Sequence, residues 1–178
     1  MIISRTGYTG EPGFELYFDR VYSEQVWNRI FEAGKSMGIT PIGLGARDTL
    51  RLEKKYCLYG NDIDKTTHPL EAGLGWITKL QKDNFIGREA LLKAKDAGLK
   101  RKLVGYICEG KMIPRHHYEI LKDNQKIGHV TSGCYSPILG KNIGLGYVEL
   151  SQSDIGNYIV INARGRELPA EIVKTPFL

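Results

Sequence analysis

The sequence predicts an α+β fold, a mixed helix-and-strand region followed by a small antiparallel β-barrel of the Greek-key or jelly-roll kind. Three observations predict it. Helical periodicity is confined to the first 97 residues, six short β-type segments follow Gly98, and turn signals separate those segments at near-regular intervals. The expected division is therefore residues 1–97 and residues 98–178.

Taken in order, residues 1–5 and 14–18 read as strands around Gly7-Tyr8-Thr9-Gly10-Glu11-Pro12-Gly13, whose glycines and proline break regular structure. Residues 22–37 predict a helix with Val26, Ile30, Phe31 and Ala33 on one face and Gly38 ending it. A second helix covers 45–55. Pro69 suits a first-turn position, so 69–74 predicts a short helix, followed by a strand over 76–80. A helix over 88–97 is closed by Gly98. Residues 102–108, 118–121, 126–132, 143–149, 158–161 and 167–174 then predict strands, with Lys122-Asp123-Asn124 and Ala163-Arg164-Gly165 as turns.

Composition narrows the classes of function. Hydrophobic residues make up 42% and charged residues 25% of the 178, an ordinary globular balance. The 21 glycines read as turn and strand-end geometry. A net charge of +5 suits an anionic substrate or an acidic protein partner. Nucleic acid is not expected, because the basic residues are dispersed and no binding motif occurs. Nor is a membrane: no apolar run approaches the roughly 20 residues of a bilayer span, and no signal peptide is visible. Cys57, Cys108 and Cys134 lack CxxC spacing and read as reduced thiols, Cys134 as a buried structural one. His68, His116, His117 and His129 show no metal-ligand spacing, so no metal is expected.

Four stretches carry a family resemblance: Gly7-Tyr8-Thr9-Gly10-Glu11 with Phe14-Glu15; Gly45-Ala46-Arg47-Asp48-Thr49-Leu50-Arg51-Leu52-Glu53; Tyr56-Cys57-Leu58-Tyr59-Gly60-Asn61-Asp62-Ile63; and Gly128-His129-Val130-Thr131-Ser132-Gly133-Cys134. In order and separation they resemble the C-terminal half of the glycine cleavage system T-protein, an aminomethyltransferase. The resemblance implies transfer of an aminomethyl carbon from the lipoyl arm of H-protein to tetrahydrofolate, with release of ammonia. It implies a cloverleaf fold around a folate channel, in which residues 1–97 form the C-terminal portion of the folate-binding region.

A pterin presents adjacent N–H donors that one carboxylate accepts together, strengthened by its charge. The resemblance makes Glu15 that carboxylate, with Glu11 as a nearby competitor. Arg47 is expected to orient the ligand or the carboxylate, with Arg51 one helical turn beyond. Tyr8 and Tyr56 would line the channel, and Gly7 and Gly10 would let backbone approach the ligand. Asn61 and Asp62 are candidates in a glycine-bounded loop. Arg115 is a candidate for the glutamate tail or the lipoyl carrier, and Lys100-Arg101-Lys102 with Lys111 for an acidic H-protein surface. Taken alone, Glu15 reads as an exposed strand residue and Arg47 with Asp48 as a solvated helix face. The resemblance is what makes them candidates.

The family's catalytic aspartate belongs to its other half, so no catalytic residue is expected here. The chain alone is expected to bind folate poorly, to lack transferase activity and to self-associate. The competing readings are the C-terminal region of a dimethylglycine or sarcosine dehydrogenase-like protein, and a non-catalytic folate- or partner-binding fragment. The expected location is the bacterial cytoplasm or, in a eukaryote, the mitochondrial matrix.

Overall fold

A computed structural model describes all 178 residues, Met1–Leu178, and contacts group them into two units, Met1–Arg51 and Leu52–Leu178. In the first unit Ile2–Ser4 (β1) pairs antiparallel with Glu15–Tyr17 (β2), Ser4 lying opposite Glu15. Gly10 takes φ 79° in the loop between them, a conformation a side chain disfavours. Helix α1 (Ser23–Gly34) is flanked by 3₁₀ turns at Arg20–Tyr22 and Lys35–Met37. Asp19 caps the first turn by accepting from the Val21 amide at 3.1 Å. Gly38, at φ 73° and ψ 31°, stops the run as expected. Of the predicted apolar face, Val26 and Phe31 are half-buried, whereas Ile30 and Ala33 are exposed.

Helix α2 (Leu44–Glu53) ends before Lys55, whose φ of 58° is left-handed. Its last residues, Leu52 and Glu53, belong to the second unit. Leu52 packs with Leu103, Ile143, Leu145 and Tyr147. The Glu53 carboxylate accepts from Ser136 Oγ at 2.5 Å, and its carbonyl accepts from the Phe177 amide at 2.9 Å. By contacts, residues 52–100 group with the barrel.

Residues 69–74 form hydrogen-bonded turns, not the expected helix: Leu74 N–H reaches the Pro69 carbonyl at 2.8 Å, and Gly73 at φ 74° ends the run. The strand expected over 76–80 is absent as well. Ile77 and Thr78 donate to Leu74 and Gly75, and the Thr78 hydroxyl donates to the Leu74 carbonyl, a local bonding pattern that competes with a ladder. Helix α3 (Arg88–Asp96) follows, with Gly98 at φ 79° just past its end. No helix is long and apolar enough to cross a membrane.

All six predicted barrel strands form: β3 (Arg101–Cys108), β4 (Glu119–Lys122), β5 (Gln125–Ser136), β6 (Lys141–Glu149), β7 (Tyr158–Ala163) and β8 (Arg166–Val173). They close in the order β3-β6-β5-β4-β7-β8, every pair antiparallel. The run β3-β6-β5-β4 is a Greek key. Asp123 and Asn124 both take positive φ in the β4–β5 turn, as do Arg164 and Gly165 between β7 and β8, which suits tight hairpins.

The barrel core holds Val104, Tyr106, Val130, Val148, Ile161 and Ile172. Alternate residues of β3 and β6, among them Leu103, Ile143, Leu145 and Tyr147, pack outward with Leu52 and Phe177. These two strands are buried on both faces and so read as continuous apolar runs. Strand interiors also account for glycines that composition assigns to turns. A Cβ on Gly144 would lie 2.5 Å from the Tyr106 hydroxyl, so the glycine makes room for that ring.

Candidate functional site

The first unit holds three of the four principal sequence candidates. Glu15 opens β2 and is exposed, as its residue-level reading had it. One of its oxygens, Oε2, accepts from the Thr6 hydroxyl and from the Tyr17 hydroxyl at 3.3 Å. Ser4 Oγ lies 3.0 Å from Thr6 Oγ1. Strand alternation produces the Glu15–Tyr17 contact, because residues two apart share a face. Oε1 has no partner within the chain.

Arg47 does not pair with Glu15. Its guanidinium carbon lies 4.6 Å from the centre of the Tyr8 ring, a cation–π arrangement. The loop after β1 thus carries an aromatic ring to a cation from α2. Arg51, one helical turn along, is buried and tied to Asp48, with Nε at 2.8 Å and Nη2 at 2.7 Å from the same oxygen. Arg51 is therefore a packed helix residue, whereas Arg47 is exposed. Glu11 is exposed in the loop. Gly10 requires its glycine, but a Cβ on Gly7 would make only an ordinary 3.8 Å contact.

In the second unit Tyr56 is 39% exposed and lines a cavity of about 560 Å³ with Trp76, Ile63 and Leu74. Asn61 donates from Nδ2 to the Thr131 carbonyl at 3.3 Å. Asp62 is fully buried. Its carboxylate accepts from the Thr131 and Ser132 hydroxyls and from the Leu58 amide, and its carbonyl accepts from the Tyr147 hydroxyl. The third and fourth family stretches thus meet through one aspartate, which fastens the 58–63 loop to β5. Arg115 is exposed.

Sequence reasoning missed a further group. Arg101 donates from Nε and Nη2 to both oxygens of Glu71, at 2.9 and 3.0 Å, and lies 4.5 Å over the Tyr147 ring. Burial alone would raise the Glu71 carboxyl, but the bonds from Arg101 and the His68 amide outweigh it and hold it below the usual carboxylate value. Arg101 is raised in turn, chiefly by its bonds to Glu71. The 100–102 basic run is thereby reduced to Lys100 and Lys102 as exposed charges. His129 lies 6.0 Å from Tyr147 and is lowered by burial and then by Arg101, His116 and His117. The one sequence signal for the pair was a basic residue opening a strand, two places before an apolar run. Nothing in the sequence brings Glu71 to it. No group of three or more histidine, cysteine, aspartate or glutamate side chains is gathered to hold a metal ion.

Known proteins place this arrangement. Residues 1–82 match the family profile described as the GCVT N-terminal domain, and residues 101–178 match the glycine cleavage T-protein C-terminal barrel domain. The chain belongs to the glycine cleavage T-protein family. Aminomethyltransferase of Halothermothrix orenii is 56% identical over 178 residues, all of this chain and 50% of the relative. That of Porphyromonas gingivalis is 57% identical over 180 residues, 99% of this chain and 50% of the relative. The crystal structure of glycine cleavage system aminomethyltransferase T from Bartonella henselae superposes with a TM-score of 0.90 at 32% identity, over 99% of this chain and 49% of that one. The chain thus spans about half the length of the relatives it matches. Membership accounts for the barrel.

Proposed function

We propose that this chain serves a tetrahydrofolate-dependent aminomethyltransferase, in which an aminomethyl carbon on the lipoyl arm of H-protein passes to tetrahydrofolate and ammonia leaves. The names of its relatives support the reaction. The observation that carries the substrate is the Glu15 carboxylate, fixed through Oε2 by Thr6 and Tyr17 while Oε1 stays open. That geometry fits a pterin edge, because a held carboxylate accepts neighbouring N–H donors without losing side-chain freedom on binding.

Glu15 would anchor the heterocycle. Tyr8 and Arg47, already stacked, would offer a flat polar wall. Gly7, Gly10 and Glu11 would be lesser contacts beside them, and Tyr56, Asn61 and Arg115 of the second unit are folate candidates by resemblance alone. Asp62 is left out of the set, since its carboxylate is consumed by Thr131, Ser132 and Leu58. No residue of this chain is assigned as catalytic acid or base. Residues 1–97 would be the folate-facing portion and 98–178 the barrel domain. The acidic face of H-protein would meet Lys100, Lys102 and Lys111. A bacterial cytoplasmic location is proposed on the organisms of the relatives.

The test is a calorimetric titration with tetrahydrofolate on the chain and on Glu15→Ala. Loss of the charged acceptor is expected to cost about 1.5–3 kcal/mol. Equal affinity in the two proteins refutes the anchor.

A further inference from the structure

Two hydroxyls, those of Thr6 and Tyr17, donate to the same oxygen of Glu15, Oε2. A third, that of Ser4, stands 3.0 Å behind Thr6. Strand pairing brings them together, since β1 sets Ser4 opposite Glu15 and Ile2 opposite Tyr17 on β2. The Thr6 hydroxyl has one proton and two neighbours. The carboxylate is the stronger acceptor, so that proton goes to Glu15, and Ser4 donates its own to the Thr6 oxygen. The result is a short relay, Ser4 to Thr6 to Glu15, whose bonds reinforce one another.

Glu15, Thr6 and Tyr17 are all exposed. In water such bonds replace equally good bonds to solvent and add little stability. Their effect is on geometry, because they fill Oε2 and leave Oε1 open. An ionised carboxylate offers about two acceptor sites on each oxygen. Thr6 and Tyr17 take both sites on Oε2. A heterocycle edge with two parallel N–H donors needs one site on each oxygen. One hydroxyl therefore has to leave when such an edge binds. The two bonds are unequal. Thr6 makes the shorter one and is backed by Ser4. The Tyr17 bond, at 3.3 Å, is longer than the usual O–H···O range of about 2.5–3.0 Å. Tyr17 is 53% exposed, so its freed hydroxyl passes to water.

We propose that Thr6, backed by Ser4, is a positioning residue for Glu15, and that the Tyr17 hydroxyl is a place-holder on Oε2 which the second N–H of the heterocycle displaces. This role rests on Glu15 being the pterin anchor. It adds a selectivity to that anchor, which favours ligands with two adjacent N–H donors over ligands with one.

Tetrahydrofolate, and an analogue in which methyl replaces the exocyclic amino group of the pterin, are the probes, titrated calorimetrically into the chain and its variants. Thr6→Val is expected to weaken tetrahydrofolate binding about tenfold, while Thr6→Ser stays within about threefold of the parent. Tyr17→Phe is expected to tighten tetrahydrofolate about threefold and to leave the analogue unchanged, because only the two-donor edge has a hydroxyl to displace. A tyrosine that merely packs on the strand would move both ligands alike, and that result overturns the place-holder. Glu15→Ala separates the two readings. If it binds tetrahydrofolate like the parent, the anchor itself falls. If it loses affinity while Thr6→Val does not, the anchor stands and the positioning role is overturned. Should Thr6→Val fail to fold, Ser4→Ala removes the relay bond alone and is expected to weaken binding about threefold. No change in that variant overturns the relay.

Discussion

Arg101 holds Glu71 through both carboxylate oxygens while its guanidinium covers the Tyr147 ring. Replacing Arg101 with alanine leaves a mostly buried carboxylate and a bared ring, and should cost about 2–3 kcal/mol in urea unfolding. Glu71 is held below its ordinary value of 4.5, so its contribution is complete above that pH. It is lost as pH falls through the lower folded value. Arg101→Ala should flatten this acid limb, and an unchanged limb would mean that the pair carries little of it.

Asp62 is expected to be the costlier position. Asp62→Ala strands two hydroxyls and the Leu58 amide inside the protein, a loss of about 3 kcal/mol or more. Hydrogen exchange at Leu58 should quicken well before the barrel amides do. A variant as stable as the parent would contradict the fastening role.

Gly144→Ala should destabilise by about 1–3 kcal/mol, because its new methyl meets the Tyr106 ring. Gly45→Ala, in α2 with nothing within 4 Å, should be neutral or stabilising by up to about 1 kcal/mol. Thermal melts of the two side by side test whether space, rather than glycine content, decides.

None of the three cysteines forms a disulfide. Burial pushes the Cys108 thiol up to about 12, so at pH 8 it should resist iodoacetamide while half-buried Cys57 and Cys134 label first. Mass spectrometry of the folded and urea-unfolded chain checks the order. Early labelling of Cys108 would mean that the barrel opens locally.

Arg47→Lys keeps the charge but loses the flat face over Tyr8. If that stack forms part of the folate wall, tetrahydrofolate affinity should fall by about 0.5–1 kcal/mol. No change in the same titration would remove Arg47 from the set.

The barrel was legible because each strand is bounded by turn residues such as Asp123 and Asn124, whose backbone preferences are local. The 69–80 stretch was not, because Leu74, Gly75 and Thr78 bond to one another and not to a neighbouring strand, a choice that tertiary context makes. Glu15 and Arg47 were visible by resemblance, but not their partners within the chain, Thr6 and Tyr17 for the carboxylate and Tyr8 for the guanidinium. Side-chain pairing between elements depends on loop paths that periodicity does not encode.

A closed barrel offers no open ladder to a passing chain, whereas the β1–β2 ribbon has two strands and therefore two bare edges, with Ile2 and Ile3 more than half exposed. Any fibril or sticky oligomer of this protein should thus be seeded from its first few residues. Lysine or proline placed there would be the economical cure for poor solubility, with the barrel left untouched.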